Sequence, residues 1–259
     1  MKGKTAIVTG STSGIGHGIA TALAADGCNI LLNGFGPAAE IEQIRADLAK
    51  TYGVKVGYSP ADMTKPAEIR AMVALAESEL GSADILVNNA GIQFTAPVEE
   101  FPDEKWDAII AINLSAAFHA SKAAIPLMKK AGWGRIINIA SAHGLVASEH
   151  KSAYVTAKHG LVGLTKVIAL ENANAGITCN AICPGWVLTP LVQKQIEDRA
   201  KANGTSVKHE ELELLQEKQP MHTFTTPAQL GALAVFLCGD SAATLTGTAL
   251  PVDGGWVAQ

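Results

Sequence analysis

The sequence predicts a doubly wound α/β fold, one parallel sheet of about seven strands with helices on both faces. Three observations predict it. Short apolar, β-branched runs alternate with longer stretches of helical periodicity. The runs are almost continuously apolar, as strands covered on both sides are. A glycine-rich turn joins the first run to the first helical stretch, the opening of a βαβ unit.

Strands are expected at 4–9, 28–33, 54–58, 84–88, 134–139, 177–183 and 248–251. Each is a short run rich in apolar and β-branched residues. Helices are expected near 14–26, 37–51, 66–80, 103–130, 152–174 and 227–238. In the first, Ile15, Ile19 and Leu23 recur every four residues and Gly27 follows the end. Residues 189–220 break the rhythm with many charges, Asn203-Gly204 and a polar run from Lys208 to Gln219. Leu212 and Leu215 give this insert an apolar face, and it reads as a lid over the carboxyl ends of the strands. No Pro-rich linker or internal repeat divides the chain, so 1–259 reads as one domain.

Composition excludes several classes. The chain has 259 residues, 48% apolar and 17% charged, which suffices for a large core and argues against disorder. Twenty Lys and Arg against 24 Asp and Glu give a formal charge of −4, which argues against a nucleic-acid footprint. No uninterrupted apolar run has the ~18–20 residues of a membrane span, and no signal-peptide core precedes the first strand. A cytoplasmic protein is expected, with Cys28, Cys179, Cys183 and Cys238 as reduced, buried thiols. Cys179 and Cys183 share a strand face but lack a second pair, so no metal site is expected.

The chemistry is concentrated in four places. Gly10, Thr12, Ser13, Gly14, Ile15 and Gly16 form the turn from first strand to first helix. Gly10 permits the sharp turn, Gly14 lets backbone approach a pyrophosphate, and Gly16 allows close helix–strand packing. The helix N-terminus then offers unpaired N–H groups to the phosphates. This is a Rossmann-like arrangement. Tyr154 and Lys158 lie four apart and share a helix face. An ammonium ~4 Å from a phenol, at an effective dielectric of ~20, contributes ~4 kcal/mol, enough to bring Tyr154 from ~10 to ~7. General acid–base catalysis works best there. Ser141 ends the fifth strand and can donate to a reacting oxygen.

The spacing Thr9-Gly10-x3-Gly14-Ile15-Gly16 resembles the short-chain dehydrogenase/reductase family. The resemblance continues through Asn88-Asn89-Ala90-Gly91, Asn113, Ser141, Tyr154, Lys158, Cys183-Pro184-Gly185-Trp186-Val187, Thr189 and Val252-Asp253-Gly254-Gly255, and so spans the chain. It implies a catalytic set of Asn113, Ser141, Tyr154 and Lys158. It also implies that Lys158 holds the nicotinamide ribose, that Asn113 supports a water relay, and that Asn89, Ala90, Gly91, Pro184, Gly185, Val187 and Thr189 contact the cofactor. A homotetramer built by the helices near 103–130 and 152–174 is implied too. Whether the carboxyl-terminal Gln259 joins an ion site between subunits is left open.

NAD is the expected cofactor. The usual acid after the second strand is replaced by Asn33-Gly34-Phe35-Gly36. Yet no cation for a 2′-phosphate occurs at 28–44, and Glu40 and Glu42 would oppose one. Phe35 is expected on the adenosine side, and Asp62 and Met63 beside the adenine. For the substrate, Lys151 lies three before Tyr154, where a cation beside Lys158 needs an anion. A short carboxylate meets that need, with Gln93, His143 and Gln195 filling its remaining lone pairs and Trp186 and Trp256 walling the small apolar end. Its hydroxyl then falls near Ser141 and Tyr154 when two carbons away, as in a 3-hydroxy acid. The segments around Gln93, His143 and Trp186 resemble the branch of the family that interconverts (R)-3-hydroxybutyrate and its 3-oxo acid. An NADPH-dependent 3-oxoacyl-thioester reductase and a non-catalytic nucleotide-sensing module stand as alternatives.

Overall fold

The computed structural model describes residues 1–258; Gln259 and any role in an ion site lie outside the described residues. Seven strands form one parallel sheet: β1 (Thr5–Val8), β2 (Asn29–Asn33), β3 (Val56–Ser59), β4 (Ile85–Asn88), β5 (Gly134–Ile139), β6 (Ile177–Pro184) and β7 (Ala249–Val252). Their order is β3-β2-β1-β4-β5-β6-β7. The order reverses direction between β1 and β4, which leaves a crevice at their carboxyl ends, the usual ligand position in such sheets.

Strand alternation divides the core in two. Ala6 and Val8 face one layer with Leu32, Val87 and Ile137; there they meet α1 (Gly14–Ala25) and α9 (Pro227–Cys238) through Ile19, Leu23, Leu230 and Leu237. Ile7, Leu31, Leu86 and Ile136 face the other. They meet α3 (Pro66–Leu80), α5 (Ala116–Ala131) and α6 (Ser152–Asn172) through Ile69, Met72, Ala124, Met128 and Ile168. α2 (Ala38–Tyr52) completes the first layer with Leu48. Both faces are therefore covered, which is why the strands read as unbroken apolar runs. All four cysteines are buried and free, as expected.

The single helix expected at 103–130 is α4 (Asp103–Ile110) and α5 joined by a π-helical turn, Ala111–Ser115. Periodicity could not show the turn, because one wide turn hardly disturbs the apolar pattern. By length and composition, Asp103–Ala131 would cross a membrane. It is instead laid along the sheet, with Ala116, Ala120, Ala124 and Met128 in the second core layer. The insert forms two helices, α7 (Pro190–Asn203) and α8 (Val207–Gln216). Leu215, Ile196 and Ala200 are buried, whereas Leu212, expected on the apolar face, is exposed.

Candidate active site

The glycine turn has the strain its sequence implies. Gly10 and Gly14 adopt left-handed backbone, with φ of 61° and 57°. A Cβ on Gly10 would stand 3.0 Å from the Ala90 Cα, and one on Gly16 would collide with the Gly10 carbonyl. Ser13 is the N-cap of α1 but its side chain caps nothing, so the helix N-terminus keeps its donors for an anion. β4 supports the turn: the Asn89 side chain donates to the Thr9 and Gly10 carbonyls at 2.8 and 3.0 Å. The Ala90 amide donates to the Thr9 hydroxyl.

Asn33, where an acid is usual, is buried and turned inward. It accepts from the Gly10 amide at 3.2 Å and donates to the Ser59 and Ala61 carbonyls. Gly34 follows with φ of 152°, and a Cβ there would be 2.5 Å from the Thr12 hydroxyl oxygen. Close packing thus removes the site where a ribose-binding acid would project. Phe35 is 68% exposed, so it is not a core residue. The Asp62 carboxylate accepts from the Thr64 amide and hydroxyl, which hold it below its usual range. Met63 is buried beside Asn88 and Asn113, so any ligand contact there falls to its backbone. This cradle fits a dinucleotide: unstrained space exists only because the glycines lack Cβ atoms, and the α1 donors are free.

Asn113 sits in the π-helical turn, buried, with its side chain exchanging two hydrogen bonds of 2.9 Å with the Ile92 backbone. It fixes the loop after β4.

Ser141 lies two residues beyond β5, capping a short 3-10 turn, and accepts from the His143 amide at 3.1 Å. The His143 ring lies 3.4 Å from the Ser141 hydroxyl through Nδ1 and 2.9 Å from the Ser148 hydroxyl through Nε2. Burial, helped by the positive charges of Lys151 and Lys218, lowers its pKa to about 4. The ring is therefore neutral at pH 7, one nitrogen donating and the other accepting.

The expected electrostatics of Tyr154 and Lys158 need correction. The Lys158 ammonium donates to the Ile139 carbonyl at 2.7 Å and lies 5.6 Å from the Tyr154 ring centre. Burial lowers Lys158 to about 8. Burial also raises Tyr154, and a hydrogen bond with Ser141 only partly offsets this. The helical spacing does bring the two residues together. Desolvation, absent from a pairwise Coulomb estimate, dominates both shifts.

Lys151 likewise differs from expectation. It is the N-cap of α6, outside the helix, and its carbonyl accepts from the Val155 amide at 2.8 Å. Besides burial, which lowers its pKa, the charges acting on it are those of Glu217 and Lys218, not Lys158. Its ammonium lies 5.9 Å from the Trp186 ring. The preceding residue, His150, is in left-handed backbone with φ of 63°, and its carbonyl accepts from Ala96. A non-glycine residue in that region aims the chain at this point.

Lys151, Trp186 and Trp256 line one open cavity of about 600 Å³ with Ser148, Glu217 and Lys218. Trp256 packs edge-on to His143 at 5.1 Å and 6.2 Å from Trp186. Four of the expected substrate residues thus converge: His143, Lys151, Trp186 and Trp256. Gln93 and Gln195 do not; both are exposed and outside the lining. Gln195 is on α7 beside the buried Ile196, so it reaches the cavity only if the helix moves. Val187 is buried, with its backbone bridged to Thr225. Thr189 caps α7, and its methyl would lie 3.5 Å from a Cβ on Gly14, beside the glycine turn.

Glu217, Lys218 and Gln219 are missing from the sequence-based expectations. Gln219 is buried; it accepts from the Trp186 amide at 3.3 Å and donates to the Met221 and Thr223 carbonyls at 2.9 and 2.6 Å. It ties the end of the insert to the loop after β6. In sequence these residues close a polar run, and nothing distinguishes them from a solvated surface.

Residues 10–257 match the family profile described as enoyl-(acyl carrier protein) reductase. The chain is 61% identical to a D-beta-hydroxybutyrate dehydrogenase of Cupriavidus necator, covering 100% of both. It is 57% identical to one of Rhizobium meliloti, covering 99% of each. Among solved structures it resembles L-sorbose reductase from Gluconobacter frateurii complexed with NADPH and L-sorbose, with a TM-score of 0.95 and 33% identity over 100% of this chain and 98% of that one. Similarity at this level, carried through the whole sheet and its loops, places the chain in the short-chain dehydrogenase/reductase family of oxidoreductases.

Proposed function

We propose that the protein catalyses the reversible, NAD-dependent oxidation of (R)-3-hydroxybutyrate to acetoacetate. The observation that carries this is the half-buried Lys151 on an open cavity that also holds Trp186 and Trp256 beside His143 and the Ser141–Tyr154 pair. The names of the two bacterial relatives support it. The carboxylate of the substrate meets Lys151, and a charge-assisted hydrogen bond there is roughly twice as strong as a neutral one. His143 supplies a neutral N–H, and the tryptophans cover the methyl end. Ser141 donates to the reacting oxygen, and Tyr154 takes the hydroxyl proton in oxidation and returns it in reduction.

A bound nicotinamide dinucleotide accepts or delivers the hydride. Gly10, Gly14 and the open α1 N-terminus would hold its phosphates, Phe35 and Asp62 its adenosine side, and Lys158 its nicotinamide ribose. NAD is preferred because no cation stands around Asn33-Gly34-Phe35; the Arg45 guanidinium is held by Glu42. α7 and α8 act as the lid that brings Gln195 onto the carboxylate. The reaction is assigned to the cytoplasm, and the assembly to a homotetramer built on α4, α5 and α6. Initial rates with NAD and NADP on a panel of 2- and 3-hydroxy acids test the reading. The expected result is a kcat/KM highest for (R)-3-hydroxybutyrate with NAD; a clear preference for NADP, or for another acid, overturns it.

A further inference from the structure

Lys218 is an unpaired cation at the substrate cavity. It lines that cavity with Lys151 and Trp186. Its charge acts on Lys151 and on the buried ring of His143. Among the described residues no ion pair holds it. The adjacent carboxylate, Glu217, is taken by the Arg199 guanidinium at 3.3 Å. Arg199 is itself anchored, 2.6 Å from the buried Glu210 between α7 and α8. Arg199 thus draws Glu217 away from Lys218, although the Glu217 charge still favours the ammonium form of Lys151. Lys218 is exposed and Lys151 half-buried on the same open cavity; the like charges repel, and an anion between them relieves both.

We propose that Lys218 is a specificity-determining residue, a second cation that captures the substrate carboxylate together with Lys151. The inference rests on the 3-hydroxy acid reading above and adds to it a residue that follows α8 at the end of the insert. Because Gln219 fixes the next position to the loop after β6, Lys218 is presented to the pocket from a rigid point. It selects for a carboxylate and makes substrate capture sensitive to salt.

The test compares wild type, Lys218→Gln and Lys218→Arg on (R)-3-hydroxybutyrate and on its methyl ester. Lys218→Gln should raise KM for the acid about tenfold, roughly what one ammonium several ångströms from a carboxylate contributes at an effective dielectric between protein and water. Lys218→Arg should restore most of the loss, and the ester should not respond. The salt dependence of kcat/KM for the acid should flatten in Lys218→Gln. An unchanged KM for the acid, or equal losses for acid and ester, overturns the proposal. If the wild type oxidises neither compound, the substrate reading fails instead. Quenching of tryptophan fluorescence by acetate in the presence of NAD then still decides on Lys218, which must tighten acetate binding for the proposal to stand.

Discussion

Tyr154 and Lys158 show how burial changes what a side chain offers. The unliganded chain keeps Tyr154 above its ordinary pKa, so its phenol is protonated at neutral pH. It is an acid ready for reduction, whereas oxidation needs it deprotonated, so oxidative turnover should rise with pH. Tyr154→Phe should lower kcat by at least ~10², the scale of lost general acid–base catalysis, while cofactor binding measured by fluorescence titration persists. Near-normal turnover would remove Tyr154 from the chemistry. His143 gives a second pH prediction. Its folded pKa of about 4 is below the ordinary 6.5, so the folded state favours the neutral ring. That contribution is complete above about 6.5 and is lost as pH falls toward about 4. Urea midpoints across that range should fall less steeply in His143→Gln. Lys151→Ala should lower kcat/KM for 3-hydroxybutyrate by ~10–10², the ~1.5–3 kcal/mol of a charged hydrogen bond, and matter far less for an ester. Equal losses would make Lys151 a support for α6.

At the scale of elements, the turn after β1 and the one after β2 are locked together. The Thr12 hydroxyl donates to the Phe35 carbonyl at 3.2 Å, and Gly34 leaves no room for a side chain against Thr12. Gly34→Ala should therefore cost more than the ~1 kcal/mol of ordinary left-handed strain and weaken NAD binding; calorimetric melting with and without NAD would show both. α7 and α8 are joined by Glu210, which accepts from the Asn203 amide at 3.0 Å and the Thr205 hydroxyl at 2.6 Å. Its carboxyl is held below the ordinary range first by those hydrogen bonds, then by Arg199, and these contacts tie the two helices to each other. Amide exchange across 190–216 should slow when NAD and an inhibitory carboxylate bind together. Unchanged exchange would leave the pair a passive surface excursion.

The whole molecule leaves Phe118, Val167 and Leu170 exposed on α5 and α6, with Leu170 at 80%. A single chain gains nothing from this arrangement, and burial between subunits would remove the apolar area from water. If the proposed homotetramer uses this face, Leu170→Arg should shift the sedimentation coefficient to that of a smaller species while leaving the far-ultraviolet circular dichroism unchanged. An unaltered coefficient would place the interface elsewhere.

The sequence by itself determined the sheet, the helices outside the insert apart from the π-helical turn, and most residue types of the site. Strand alternation, helical spacing and the glycine turn are local patterns, each written within a few neighbouring positions. Gly10, Gly14 and Gly16 could be read because only glycine meets their backbone and packing demands. Tyr154 and Lys158 could be paired because they are one helical turn apart. Tertiary structure alone decided what distance and solvent control. It set Lys158 on the Ile139 carbonyl and reversed the expected shift of Tyr154, because desolvation depends on the whole surrounding fold. It turned Asn33 into a buried clasp between three loops. It brought Glu217, Lys218 and Gln219 to the cavity from a polar run whose spacing carries no sign of it, since a chain folded back over 30 residues leaves no periodicity to read.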